Sequence, residues 1–204
     1  MIKKLVLLTL LTVAITVISF FVLLDRHIKQ IITLPEQVLF TVNSGMSIGS
    51  FSKAMVNKKW ISNRFWLRSY ARLYPEKAKL KVGTYQFVPG MTLEDILAMV
   101  VAGKEHQFAI TFIEGTTLKQ WLLQLANQPH LNHQLIDKQP AEIAKLFAIA
   151  SSNPEGWFFP DTYSYTAGTS DYSLLKWAHR KMKIHLEQAW QERAVNLPYD
   201  DAYQ

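Results

Sequence analysis

The chain contains no cysteine. That excludes a disulfide framework, a thiolate metal site and a cysteine nucleophile. It leaves the compartment open, because a bacterial periplasmic protein can dispense with disulfides. Gly-x-Gly-x-x-Gly and the phosphate-loop pattern Gly-x-x-x-x-Gly-Lys-Ser/Thr are also missing, so nucleotide folds have no support. Charge of one sign is not gathered in one block of the sequence. The 22 Lys and Arg against 16 Asp and Glu give a net +6, spread along the chain, so nucleic acid is not an expected partner. His130 and His133 lie in a stretch without helical period and lack a third ligand, so no metal and no other cofactor is expected.

What is present is apolar material. Hydrophobic residues make up 49% of 204 positions, enough for one large domain or two small ones with a core. Leu5 to Leu24 carries no charge and follows Lys3 and Lys4. Twenty residues rise about 30 Å, the thickness of a bilayer core. No small-residue cleavage site closes the run, which ends Phe20-Phe21-Val22-Leu23-Leu24. The expectation is a cytoplasmic tail over 1–4, an uncleaved transmembrane helix over 5–24, a stalk over 25–37, and everything after it outside the cytoplasm.

Beyond the stalk a pattern recurs at Gly45-Met46-Ser47, Gly90-Met91-Thr92 and Gly115-Thr116-Thr117, each time after a β-rich run. The glycine suits a turn, and the Ser or Thr suits a helix cap. Apolar residues then return at helical spacing, as in Leu93, Ile96, Leu97 and Val100. Three strand-to-helix units packed edge to edge are expected. A further helix over Asn63 to Tyr74 stops before Pro75. The order strand–helix–helix–strand over 38–106 resembles a LysM-like module, a small fold that in many proteins binds glycan. Residues 128–139 read as a polar linker and Pro140 to Ala150 as a helix. Thr169 or Ser170 can cap a long helix, with Asp171 suiting its positive end and a stripe of Leu174, Leu175, Ala178, Met182, Leu186, Ala189 and Trp190.

The most unusual stretch is Glu155-Gly156-Trp157-Phe158-Phe159-Pro160-Asp161-Thr162-Tyr163-Ser164-Tyr165. Gly156 and Pro160 argue against a helix. An extended segment would put Trp157, Phe159, Asp161 and Tyr163 on one face and Phe158, Pro160 and Thr162 on the other. Aromatic faces beside carboxylates suit sugar rings; a turn with buried rings is the alternative. For glycoside chemistry the acids to consider are Glu155, Asp161 and Glu114, each of which could equally accept from backbone amides in a turn.

The run Glu155 to Tyr163, with Leu174-Leu175-Lys176 and Ala178-His179-Arg180-Lys181-Met182, resembles the endolytic murein transglycosylase (YceG-like) family. Lys81-Val82-Gly83-Thr84-Tyr85, Met91-Thr92 and Glu114-Gly115 add to the likeness. The resemblance implies an α+β protein with a single N-terminal transmembrane helix and a LysM-like β-α-α-β module. The incomplete start of a mixed α/β catalytic domain over 107–204 would follow. It implies a lyase of the inner membrane whose partners are peptidoglycan glycan strands and peptidoglycan synthases. Such an enzyme cuts MurNAc-GlcNAc bonds within strands. A glutamic acid donates a proton to the leaving oxygen, and the sugar's own C6 hydroxyl closes a 1,6-anhydro ring. The family's glutamate lies in an Ile-Glu-Lys-Glu motif beyond a Leu-Pro-Tyr segment. Leu197-Pro198-Tyr199 is here and that motif is not. The expectation is therefore a chain inactive by itself, with Glu114, Glu155, Trp157, Phe159, Asp161 and Tyr163 as substrate contacts. A non-catalytic peptidoglycan-binding or scaffolding protein is the alternative.

Overall fold

The structure is a computed structural model and describes residues 2–194 and 197–203. The ends of the 1–4 and 107–204 ranges, Met1 and Gln204, lie outside the described residues, as do Val195 and Asn196. The protein is mixed α and β, with seven α-helices and two small sheets among the described residues. It divides into two compact units, Met1–His106 and Gln107–Gln204.

In the first unit, α1 (Ile2–Ile28) is apolar over most of its length and long enough to cross a membrane. Strand β1 (Val38–Val42) pairs antiparallel with β2 (Gly83–Phe87), Phe40 facing Tyr85. Alternation decides the inner face: Phe40, Val42, Tyr85 and Phe87 are buried while Leu39 and Thr41 face out. Between the strands run α2 (Ile48–Asn57) and α3 (Phe65–Leu73), followed by one 3-10 turn at Pro75–Ala78. Helix α4 (Leu93–Ala102) follows β2. Ser47 caps α2 by accepting from Ser50 N–H at 3.2 Å. Thr92 and Asp95 form a reciprocal capping box on α4, with bonds of 3.1 and 2.9 Å. The Thr92 hydroxyl, donating to Asp95 Oδ2 at 2.7 Å, and then the Thr92 backbone N–H hold the Asp95 carboxyl below its ordinary value.

The stretch over 25–37 departs from a free stalk. Helix α1 runs on to Ile28, and Ile28, Ile32 and Leu34 are buried in the same core as Phe51, Tyr85 and Ile96. Ile32 N–H donates to Met91 O at 3.0 Å, and Leu93 N–H to Gln30 O at 3.3 Å. Three buried apolar residues in a mostly polar stretch of thirteen gain enough to tie the segment down.

In the second unit, β3 (Phe108–Thr111) pairs antiparallel with β4 (Thr162–Tyr165), Ile110 facing Tyr163. The three glycine-turn units are therefore not packed edge to edge: the first two pair their strands together, and the third takes a partner 51 residues downstream, as the Thr111–Thr162 hydroxyl contact shows. Helices α5 (Leu118–Ala126), α6 (Pro140–Leu146) and α7 (Asp171–Gln191) pack with this two-stranded sheet into one core. On α7 only the first half of the expected stripe is buried: Leu174, Leu175 and Ala178 are in the core, whereas Met182, Leu186 and Trp190 are partly exposed and Ala189 is exposed. The polar segment 128–139 is not a free linker either. Leu131 and Leu135 are buried, and Asn132 exchanges backbone hydrogen bonds with Thr169 and Asp171.

Candidate functional site

The site is built in the second unit from two turns. The first leaves β3 through Ile113-Glu114-Gly115-Thr116, with Gly115 at φ +76°, and delivers the chain to α5. Thr117 caps that helix, accepting from Gln120 N–H, while Gln120 Oε1 accepts from Thr117 N–H at 2.7 Å. Trp121 stacks on Phe112 with ring centroids 4.2 Å apart, and its Nε1 donates to the Thr116 hydroxyl at 2.6 Å. The second turn is the aromatic run. Asn153 Oδ1 accepts from Glu155 N–H at 3.1 Å, Pro154 O accepts from Trp157 N–H, and Gly156 takes φ +81°, which a side chain would oppose.

Three bonds then fix the run against its surroundings. Phe159 N–H donates to Ala178 O on α7 at 3.0 Å, Phe112 N–H donates to Asp161 O at 3.0 Å, and the Tyr163 hydroxyl donates to Phe159 O at 2.7 Å. His179 Nδ1 lies 3.0 Å from Trp157 O. Because the run turns before entering β4, strict alternation is lost: Phe158 and Tyr163 are both buried, and Trp157 and Phe159 are half-buried.

The sequence candidates separate by what they touch. Glu155 places both oxygens on Leu118 N–H, at 3.0 and 3.1 Å, at the first turn of α5. This is a capping contact supplied from 37 residues away, favoured by the helix dipole. Asp161 forms an ion pair with Lys181 and accepts from Thr162 N–H at 2.7 Å. Phe159 stacks on His185 with centroids 4.3 Å apart and has Lys181 over its ring. Trp157 stacks on Tyr203. Glu114 is exposed and makes no side-chain bond with the described residues. His130 stacks on Phe108, and His133 lies 4.0 Å from Asp171, so the two histidines serve separate contacts.

A cavity of about 180 Å³ joins the two turns. Glu114, Thr116 and Glu155 supply its polar edge, and Trp121, Phe158 and Met182 its apolar wall. Thr116, Trp121 and Met182 were not singled out by sequence as site residues. Trp121 and Met182 read as core stripe, and Thr116 is visible only as the neighbour of Glu114-Gly115. The cavity is smaller than the usual small-molecule pocket of about 300 Å³ or more, so it suits one ring of a polymer. A polar edge against an apolar wall is the arrangement a sugar needs.

Glu155 gives a direct test of its capping contact. Glu155→Ala should lower the stability of the second unit by about 1–2 kcal/mol, and Glu155→Gln by about half as much. Urea titration followed by hydrogen exchange at the α5 amides measures this; an unchanged midpoint would leave Glu155 free for substrate alone.

A family model described as the YceG-like family matches residues 40–204. No curated protein matches the chain. Among solved structures, that of a yceG-like protein from Listeria monocytogenes is similar, at 20% identity and a TM-score of 0.36. The match covers 77% of this chain and 57% of that one, so the present chain spans little more than half the length of that relative.

Proposed function

The chain belongs to the YceG-like family, which is the endolytic murein transglycosylase family, and from that premise we propose that it forms the membrane anchor and one glycan-binding wall of such an enzyme. The observation that carries the reading is the joining of Glu114-Gly115 and Glu155-Gly156 around one ring-sized cavity. Those two motifs, 41 residues apart in sequence, belong to the same resemblance.

In this reading α1 crosses the inner membrane with Lys3 and Lys4 in the cytoplasm, and the bulk of the chain is periplasmic. Its length and apolar composition support that. Residues 38–106 act as a LysM-like glycan-binding module, supported by the order β1-α2-α3-β2 and the antiparallel pairing of its strands. Residues 107–204 contribute the N-terminal part of the catalytic domain. Glu114 contacts sugar hydroxyls at the cavity edge, and Trp157 and Phe159 supply half-buried ring faces. Glu155, Asp161 and Tyr163 shape the wall, each through an internal partner already named.

A proton donor needs a carboxyl oxygen free to meet the glycosidic oxygen. Glu155 has both oxygens on Leu118 N–H and Asp161 is paired with Lys181. Neither is placed for that task, so the donor of the reaction is assigned to a glutamate other than these. The chain of 204 residues, reconstituted in nanodiscs and mixed with purified sacculi, should be retained by them. It should release no 1,6-anhydro-muropeptides detectable by mass spectrometry. Trp157→Ala should weaken retention about tenfold. No retention would sink the glycan-wall reading. Release of anhydro products abolished by Glu114→Gln would place the donor at Glu114 instead.

A further inference from the structure

The first unit carries a basic helix face at a place set by α1. Trp66 of α3 packs on Phe20, centroids 6.0 Å apart, and stacks on His27 at 4.6 Å. Phe20 lies inside the uncharged run 5–24, about 6 Å on the membrane side of Leu24 at helical rise. The start of α3 is therefore held at the depth where tryptophan is enriched at membrane surfaces. Arg64, Arg68 and Arg72 follow at intervals of four, so they share one face, opposite buried Leu67 and Tyr70. All three are exposed and make no ion pair with the described residues. Phe65, 56% exposed, stands beside them.

We propose that this face of α3 docks the first unit onto anionic phospholipid headgroups. Guanidinium groups match phosphate geometry with paired N–H donors, and their aliphatic stems lie along apolar surface while the charge reaches the headgroup. Phe65 and Trp66 give the apolar side of the contact, next to the helix that enters the bilayer. Three uncompensated arginines at that depth complement an anionic leaflet and gain nothing from a neutral one. The docking restrains the unit on the membrane surface, where buried Ile28 and Ile32 already make α1 continuous with its core. The inference rests on the reading that α1 crosses the membrane.

The absence of cysteine makes the test simple. Ser69 lines the same shallow groove as the three arginines, so Ser69→Cys in the full chain can carry an environment-sensitive fluorophore. Reconstituted in nanodiscs with phosphatidylglycerol, the label should shift to the blue and be quenched by brominated lipid. With phosphatidylcholine alone, or in the Arg64→Gln, Arg68→Gln, Arg72→Gln variant, the shift should fall by about half or more. Equal shifts in all three samples would overturn the docking. So would an equal shift with a soluble acidic glycan polymer and neutral lipid. Carbonate extraction separates the two readings. A chain retained in the membrane with a water-like label refutes the docking alone, whereas a chain that is washed off refutes the anchor and the docking with it.

Discussion

Asp171→Ala should lower the stability of the second unit by about 3–5 kcal/mol, the largest loss expected from any single polar substitution in the chain. Asp171 is 1% exposed. Its Oδ1 accepts from Gln134 N–H at 2.9 Å and Tyr172 N–H at 2.7 Å, and its Oδ2 accepts from Leu135 N–H at 3.1 Å. Alanine would strand these donors in a place water reaches poorly. The carboxylate also joins two parts of the chain, because Gln134 and Leu135 belong to the polar segment that packs against the start of α7. With the link gone, buried Leu131 and Leu135 lose what holds them in register. Asp171→Asn keeps one acceptor but sets an amide N–H₂ against a backbone donor, so about half the loss should remain. Urea titration gives the total, and hydrogen exchange at Gln134 and Leu135 shows whether the segment opens first. A loss below about 1 kcal/mol with those amides still protected would show that the contact is dispensable.

The same residue marks the limit of what the sequence shows. Ser47, Thr92, Thr117 and Ser170 are legible as caps because donor and acceptor lie three residues apart, and the structure makes all four bonds. Asp171 next to Ser170 reads equally as a first-turn charge, and its reach to Gln134 cannot be read from local spacing. Glu155 repeats the lesson, since its partner Leu118 is 37 residues away. The motif around Glu155 is distinctive enough to bring the family to view, while the internal partner of each acid depends on the fold. Burial misleads where apolar residues are sparse: Ile28, Ile32 and Leu34 follow an apolar run and look like a stalk, and Leu131 and Leu135 sit among polar neighbours. Each is buried because a distant element offers a surface. The α7 stripe errs the other way. Helical period continues to Trp190, but the packing surface within the second unit ends near Ala178.

These long-range contacts divide the site into a scaffold and an open edge. The scaffold consists of groups already satisfied: Glu155 on Leu118, Asp161 on Lys181 and Tyr163 on Phe159. The edge is Glu114, exposed at the rim of the cavity. Substitutions in the scaffold should therefore move stability and binding together, and substitutions at the edge should move binding alone.

Raising the pH should expose the scaffold through Tyr163. Its side chain is buried, at 7% exposure, and burial pushes the hydroxyl up to about 12. In the unfolded chain a tyrosine titrates near about 10. Between those values the folded state keeps a proton that the unfolded state has lost, so stability falls as pH rises. The contribution is complete below pH about 10 and is lost through pH about 12, amounting to about 2–3 kcal/mol. Burial also raises the hydroxyl of Tyr165, which adds to the slope in the same direction. Tyr163→Phe removes the titrating group together with the bond to Phe159 O, costing about 1 kcal/mol at neutral pH. The wild type should therefore be the more stable at pH 8, and the order should reverse before pH 12. Urea midpoints at pH 8, 10 and 11.5 measure this, with tyrosinate absorbance as an independent titration. Parallel decline of both proteins would show that Tyr163 is not the group responsible. Because the Tyr163 hydroxyl holds the carbonyl of Phe159, its ionisation should loosen the turn from Glu155 to Asp161 before the unit unfolds. Retention on sacculi should then fail at a lower pH than global structure does.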